Sequence, residues 1–124
     1  MKKILSLLFI ASLSVGLTSC YKDVISPGSD PNGPPQEVSL SGDLIPIFEK
    51  NCAMSGCHST DGKKPVLVAD KAYNELMSGG YVNTAVPDKS AIYTVAKPGG
   101  SMPTLNPKDL QKLLDWIRNG APNN

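Results

Sequence analysis

The sequence predicts an all-α fold for a single small domain, and three observations lead to that class. Helix-capping residues precede four segments in which apolar residues recur at helical spacing. β-branched runs are nearly absent, since the Val-Leu-Val of residues 66–68 is the one short example. The chain has 124 residues with 11 Gly and 11 Pro, a composition that favours loops and a linker between short helices.

Each helix is predicted from its N-cap and its apolar face. The expected N-caps are Asp43, Asp70, Asp88 and Asn106, and the helices are expected over residues 44–51, over 71–78 before Gly79, around Ile92, and from Pro107 to a stop at Gly120. Pro46 is tolerated in the first helix because its missing N–H falls in the first turn. In the last helix an apolar stripe is formed by Leu110, Leu113, Leu114 and Ile117, with Trp116 beside it.

The first nineteen residues are predicted to be a signal peptide and not part of the fold. Lys2 and Lys3 form a basic start, and residues 4–17 form an apolar stretch too short to span a membrane. The segment ends in Leu-Thr-Ser-Cys, which resembles the bacterial lipobox and implies lipid attachment at Cys20. The alternative is an ordinary secretory signal in which this cysteine is incidental.

Residues 20–38 are predicted to be a lipidated cysteine followed by a tether. Pro, Gly, Ser and Asp dominate residues 26–35, and no apolar periodicity is present. Removal of residues 1–19 leaves 10 basic and 11 acidic residues, a net charge of −1. This balance gives no electrostatic reason to expect nucleic acid as a partner.

Residues 39–124 are predicted to be the folded domain, and this domain has little material for a core. Its five aromatic residues and long Gly/Pro-rich connections leave little apolar surface to bury. Domains of this size usually need a disulfide, a metal or a cofactor for stability. A large apolar cofactor is therefore a physical expectation.

The cofactor candidate is the segment that runs from Cys52 to His58. Two thiols can add across the two vinyl groups of haem, and an imidazole directly after the second thiol then falls on the iron. The usual spacing is Cys-x-x-Cys-His, whereas here four residues separate Cys52 from Cys57. The longer loop must bulge, which Gly56 permits. Two alternatives stay open: a Cys52–Cys57 disulfide with His58 at the surface, and a less favoured zinc site that lacks a fourth ligand.

Motif order extends this pattern across residues 41–124, which resemble a class I c-type cytochrome. The resemblance rests on three elements: Phe-Glu-Lys-Asn-Cys52 through Cys57-His58, the later Gly-Gly-Ser-Met102-Pro, and the terminal amphipathic helix with Trp116. It implies a helical domain around one covalent haem c, with the first and last helices in contact. It further implies that Cys52 and Cys57 form the thioethers, that His58 is the proximal iron ligand and that Met102 is the distal one.

The resemblance also bears on residues around the haem. It implies that the His58 N–H donates to a downstream proline carbonyl, for which Pro65 is the candidate, although Pro65 also suits an ordinary loop. Two other methionines compete with Met102: Met54 lies between the cysteines, and Met77 is expected to fill the core. The aromatic residues Tyr73, Tyr81 and Trp116 either contact the haem or are plain core.

The expected function is that of a membrane-tethered monohaem electron carrier, which is not an enzyme. Iron with both axial positions filled by protein has no open site for a substrate. The expected partners are redox proteins of the cell envelope. The anchor is expected in the outer membrane in preference to the inner one, because Tyr21 and not Asp follows Cys20, with the domain in the periplasm or at the surface. The alternatives are a haem module that binds a diatomic gas, and a haem-free lipoprotein stapled by a disulfide.

Overall fold

In the computed structural model, which describes residues 30–124, the chain folds as α-helices joined by loops, and these residues contain no β-strand. The predicted all-α class is confirmed at this level. Residues 66–68, the one strand-like run of the sequence, lie in an irregular stretch. The predicted signal peptide and the predicted lipidation site, Cys20, lie outside the described residues.

The order of the helices follows the predicted order. The helices are α1 (Ile45–Asn51), α2 (Ala72–Ser78), α3 (Ala91–Ala96) and α4 (Pro107–Arg118). A π-helical turn, Leu40–Leu44, leads directly into α1, and a 3₁₀ turn, Pro87–Lys89, precedes α3. Within residues 30–124 no helix is both long enough and apolar enough to cross a bilayer.

The first helical segment begins earlier than predicted, because Ser39 and not Asp43 is its N-cap. The Ser39 hydroxyl accepts the backbone N–H of Gly42 at 3.1 Å. The Asp43 carboxylate points back instead, and accepts the backbone N–H of Ser39 at 3.0 Å. The Ser39 side chain thus accepts an N–H of the first turn, and the Asp43 side chain accepts the N–H of the cap residue. This reciprocal arrangement is like that of a capping box. Pro46 lies in the first turn of α1, as predicted.

The predicted caps Asp70 and Asp88 are wrong, although both helices exist. The chain enters α2 through a turn in which the Val68 carbonyl accepts the N–H groups of Lys71 and Ala72, so no side chain is needed as a cap. α3 begins after Ser90, whose buried hydroxyl accepts the backbone N–H of Asn83 at 2.8 Å. At the start of α3 the Ile92 N–H donates to the Tyr81 carbonyl at 3.1 Å. Backbone carbonyls therefore satisfy N–H groups at these helix starts that the sequence assigns to aspartate side chains.

The last helix matches its prediction in detail. Asn106 accepts the backbone N–H of Asp109 at 2.9 Å, and Pro107 is the first helical residue. The chain leaves the helix at Gly120, which has a φ of +89°. Leu113, Leu114, Trp116 and Ile117 are all buried.

The core lies where α4 packs against the π-helical turn and against α3. The first and last helical segments are therefore in contact, as the resemblance implies. The largest fully buried apolar side chains are Trp116, Phe48, Leu44, Leu76, Leu113 and Ile117. Burial of each such side chain stabilises the fold by about 1.5–3 kcal/mol.

The end of the predicted tether lies on the domain, beside the C-terminal end of α4. Val38 is 5% exposed and belongs to the core. The Gly33 carbonyl accepts Arg118 Nη2 at 2.7 Å, and the Gln36 carbonyl accepts Asn119 Nδ2 at 2.6 Å. Asn124 Oδ1 accepts the N–H of Leu40 at 2.8 Å. Hydrogen bonds thus join the residues before the first helical segment to the end of α4 and join Leu40 to the last residue of the chain.

An ion pair joins the first and last helical segments, and its removal is expected to lower stability. Lys112 Nζ lies 2.6 Å from Asp43 Oδ1. The Lys112 hydrogen bond, followed by the Ser39 N–H, lowers the pKa of Asp43. A lowered pKa contributes stability at neutral pH that is lost as the pH falls through that pKa. Asp43→Asn should therefore lower the free energy of unfolding by about 0.5–1 kcal/mol at pH 7, and by less in acid.

The measurement is urea unfolding of Asp43→Asn, Lys112→Gln and the double variant between pH 3 and pH 7. The two substitutions should not be additive, because each removes the same pair. Additive effects, or a loss that does not change with pH, would contradict the role of this ion pair.

Candidate functional site

A cavity of about 300 Å³ opens between the C-terminal end of α1, the loop after it, α3 and the loop before α4. Its surface is mostly apolar. The four predicted cofactor residues, Cys52, Cys57, His58 and Met102, all line it. The other lining residues include Phe48, Met54, Pro65, Leu67, Tyr81, Ile92, Val95, Pro103 and Leu113. The volume lies at the lower end of the range for small-molecule pockets, about 300–1,000 Å³.

The position of Cys52 is fixed by α1. Cys52 directly follows the last helical residue, and its N–H donates to the Phe48 carbonyl at 2.7 Å. Phe48 is 1% exposed and lines the same cavity. The first thiol therefore stands at the end of a helix whose preceding turn is anchored in the core.

The four residues between the cysteines form a closed turn. The Cys57 N–H donates to the Met54 carbonyl at 2.9 Å, and the His58 N–H donates to the Cys52 carbonyl at 3.0 Å. Gly56 has a φ of +78°, with nothing within 4 Å of an added Cβ. The predicted bulge at Gly56 is thus confirmed, and the turn brings both cysteines to one cavity despite the longer gap.

A second glycine in this region has a role that the sequence did not indicate. A Cβ added at Gly62 would overlap the Cys57 carbonyl oxygen. The next residue, Lys63, donates its N–H to that same oxygen at 2.5 Å. The chain therefore returns directly beneath Cys57, and only glycine leaves room for this approach.

His58 is oriented by two backbone carbonyls. Its Nδ1 lies 2.9 Å from the Pro65 oxygen and 3.1 Å from the Lys63 oxygen. The expected contact with Pro65 is confirmed, whereas the contact with Lys63 was not predicted. Because both partners are acceptors, this geometry selects the tautomer with the proton on Nδ1, in which Nε2 is the nitrogen that can bind a metal.

The two cysteines are not joined to each other, and they differ in exposure. Cys57 is exposed, whereas Cys52 is partly buried. Burial, followed by the charge of the nearby Cys57, raises the pKa of the Cys52 thiol. At neutral pH a smaller fraction of Cys52 is therefore in the reactive thiolate form than of an unperturbed cysteine.

Met102 is carried to the cavity by the loop before α4. Its N–H donates to the Val95 carbonyl at 3.0 Å, and the Leu105 N–H donates to the Ala96 carbonyl at 3.0 Å. These bonds fold the loop against the end of α3. The Met102 side chain lines the cavity and remains 42% exposed.

The two competing methionines occupy different positions. Met54 lines the cavity from the turn between the cysteines and is 49% exposed. Met77 is 37% exposed and does not line the cavity, so the expectation that it fills the core is wrong. The reason is the short α2 helix, which turns Ala72 and Leu76 to the core and leaves the neighbouring position outside.

The three aromatic candidates also occupy different positions. Trp116 is fully buried, and its Nε1 donates to the Pro122 carbonyl at 2.9 Å, so its interpretation as core is confirmed. Tyr73 and Tyr81 both pack against the core, and Tyr81 also lines the cavity. Among residues 30–124, no three His, Cys, Asp or Glu side chains converge into a group that could hold a metal ion.

The chain matches no protein-family model, no curated protein and no solved structure.

The difference between the two thiols can be measured on reduced, haem-free protein. With Cys20→Ser, the remaining cysteines are Cys52 and Cys57. A maleimide should modify Cys57 several times faster, because Cys57 is exposed and burial raises the pKa of Cys52. Timed quenching and peptide mass spectrometry give the two rates, and a urea-unfolded sample provides the control in which they should converge. Equal rates in native buffer would show that the arrangement of this turn is wrong.

Proposed function

We propose that the protein is a membrane-tethered monohaem c-type cytochrome that transfers electrons, with one haem c in the cavity. One observation carries this proposal. Residues of three loop segments, Cys52 with Cys57 and His58, Pro65, and Met102, meet at a single apolar cavity, and His58 already donates from Nδ1. A disulfide alone requires neither the oriented imidazole nor a methionine in the same cavity.

The residues present suit a covalent haem. Cys52 and Cys57 would hold its vinyl positions, and the Nε2 of His58 and the sulfur of Met102 would bind its iron. Bound haem supplies reversible one-electron chemistry at its iron. Apolar walls from side chains such as Phe48, Leu67 and Ile92 favour a large flat apolar group and exclude water.

The protein contributes orientation and tuning. The carbonyls of Lys63 and Pro65 fix the plane of the His58 ring and raise its basicity. A methionine opposite a histidine raises the reduction potential relative to two histidines, because the thioether stabilises ferrous iron. With His58 and Met102 both holding the iron, no position would remain for a substrate, so the proposed role is electron transfer and not catalysis.

The proposed anchor is a lipid on Cys20, and the proposed partners are redox proteins of the bacterial cell envelope. Residues 33–38 lie on the domain, so at most residues 21–32 can separate it from a membrane. Twelve residues span about 37 Å in the polyproline II conformation and at most about 43 Å when fully extended. The domain would therefore stay close to its membrane, for which the outer membrane is favoured, and within reach of membrane-bound partners.

Expression with a c-type cytochrome maturation system tests the proposal. Haem should remain with the protein through acid–acetone extraction and should be found in the membrane fraction. Cys52→Ala/Cys57→Ala should abolish covalent haem, and Cys20→Ser should move haem-loaded protein to the soluble fraction. Freely extracted wild-type haem would reject thioether attachment. A chain without haem but with a Cys52–Cys57 disulfide would favour the stapled lipoprotein instead.

The role of Met102 is tested against the other methionines. Met102→Ala should lose the near-infrared band of sulfur–iron charge transfer, lower the reduction potential and bind carbon monoxide when reduced. Met77→Leu is the matched control, because Met77 is exposed and lies away from the cavity. Met54→Leu should also retain the band. Loss of the band in Met54→Leu would transfer the ligand role to Met54, whereas a high-spin wild type that binds carbon monoxide would favour the gas-binding module.

A further inference from the structure

The two carbonyls that receive the His58 N–H belong to one short segment, residues 63–67. Both oxygens face the same ring nitrogen, at 3.1 and 2.9 Å. The ends of the segment are tied to the haem-binding motif itself. Lys63 donates its N–H to the Cys57 carbonyl at 2.5 Å, and Leu67 donates to the His58 carbonyl at 2.8 Å. Neither bond holds Pro65 in the middle of the segment, although the Pro65 oxygen accepts the His58 N–H.

Glu75 supplies contacts on both sides of Pro65. Its Oε1 accepts Lys64 Nζ at 2.8 Å. Its Oε2 lies 3.5 Å from the N–H of Val66, a long contact to a residue that is only 6% exposed. The Glu75 side chain is 22% exposed, whereas that of Lys64 is 74% exposed. The Glu75 carboxylate therefore contacts the residues on both sides of Pro65, whose carbonyl orients His58.

α2 makes a rigid base for this carboxylate. Glu75 lies one residue before Leu76 and three after Ala72, and both of these residues are completely buried. The Glu75 carbonyl accepts the N–H of Gly79 at 3.0 Å, which closes the helix. The position of the carboxylate is thus set by the core and not by the segment that it contacts.

We propose that Glu75 is a positioning residue for the His58 imidazole, acting through Lys64 and Val66 on the carbonyl of Pro65. This inference rests on the proposed function. A firmly held carbonyl keeps a strong bond from the His58 N–H, which makes the imidazole more basic. A more basic imidazole stabilises ferric iron and lowers the reduction potential. Glu75 therefore helps to set the potential without touching the cavity.

The experiment uses haem-loaded full-length protein with Glu75→Ala and Lys64→Ala. Both variants should raise the reduction potential, because both release the segment. Both should also accelerate solvent exchange of the His58 Nδ1 proton by about fivefold, as measured by ¹⁵N NMR of the reduced form. Glu75→Gln keeps an acceptor for Val66 but loses the ion pair, so smaller shifts in the same direction are expected. This variant also serves if Glu75→Ala does not fold.

The matched controls are Asp88→Ala and Lys89→Ala, which break an exposed ion pair with N–O distance 3.8 Å elsewhere on the surface. They remove the same charges without contacting residues 63–67, so proton exchange at His58 should stay at the wild-type rate. Any shift in potential that they cause measures the effect of surface charge alone.

The direction of the two shifts separates positioning from simple electrostatics. If Glu75 acts only through its charge, Glu75→Ala raises the potential and Lys64→Ala lowers it, with unchanged proton exchange, and the proposal is overturned. Haem-loaded variants with wild-type potential and exchange would overturn this inference alone. A wild type without covalent haem would overturn the proposed function and this inference together.

Discussion

The packing of the first helical segment, residues 40–51, against α4 is the interaction on which the other parts of the molecule depend. Leu44, Phe48, Leu113 and Trp116 are almost completely buried there, and the Lys112–Asp43 ion pair crosses the same contact. The last residue of the chain, Asn124, also bonds to this segment by accepting the N–H of Leu40. Cys52 directly follows this segment, so the packing of the segment against α4 sets where Cys52 lies in the cavity.

The cavity itself is built from irregular backbone. The turn from Cys52 to His58, the return beneath Cys57, and the loop that carries Met102 contain almost no regular structure. Each is nonetheless held by backbone hydrogen bonds of 2.5–3.0 Å to another part of the site. Such loops hold functional side chains firmly because their peptide groups are satisfied within the fold and not by water.

Among residues 30–124, the sulfur and imidazole groups around the cavity do not include three His, Cys, Asp or Glu side chains grouped to hold a metal ion. His58 uses one nitrogen for backbone carbonyls and leaves the other free, while the thiols remain unbridged. Met102 comes from a different loop and completes the lining. This combination of soft donors with an apolar wall is the physical basis for proposing a haem, and the short carbonyl-bearing segment beside His58 connects the cavity to Glu75 on α2.

The sequence by itself determined the helical class, the ends of α4, the bulge at Gly56 and the motif residues, because helical periodicity, Asn106, Pro107 and Gly120 act locally. Only the tertiary structure decided that Ser39 begins the first helical segment, that Met77 faces outward, and that Lys63 and Gly62 belong to the site. Ser39 and Leu40 bond to Asn124 at the other end of the sequence, and packing against the core sets the outward face of α2. Gly62 and Lys63 meet Cys57 through a local return of the chain, which helical periodicity does not encode. A side-chain cap is needed only where no backbone carbonyl accepts the first N–H groups of a helix. A glycine is required only where another part of the backbone passes too close for a Cβ.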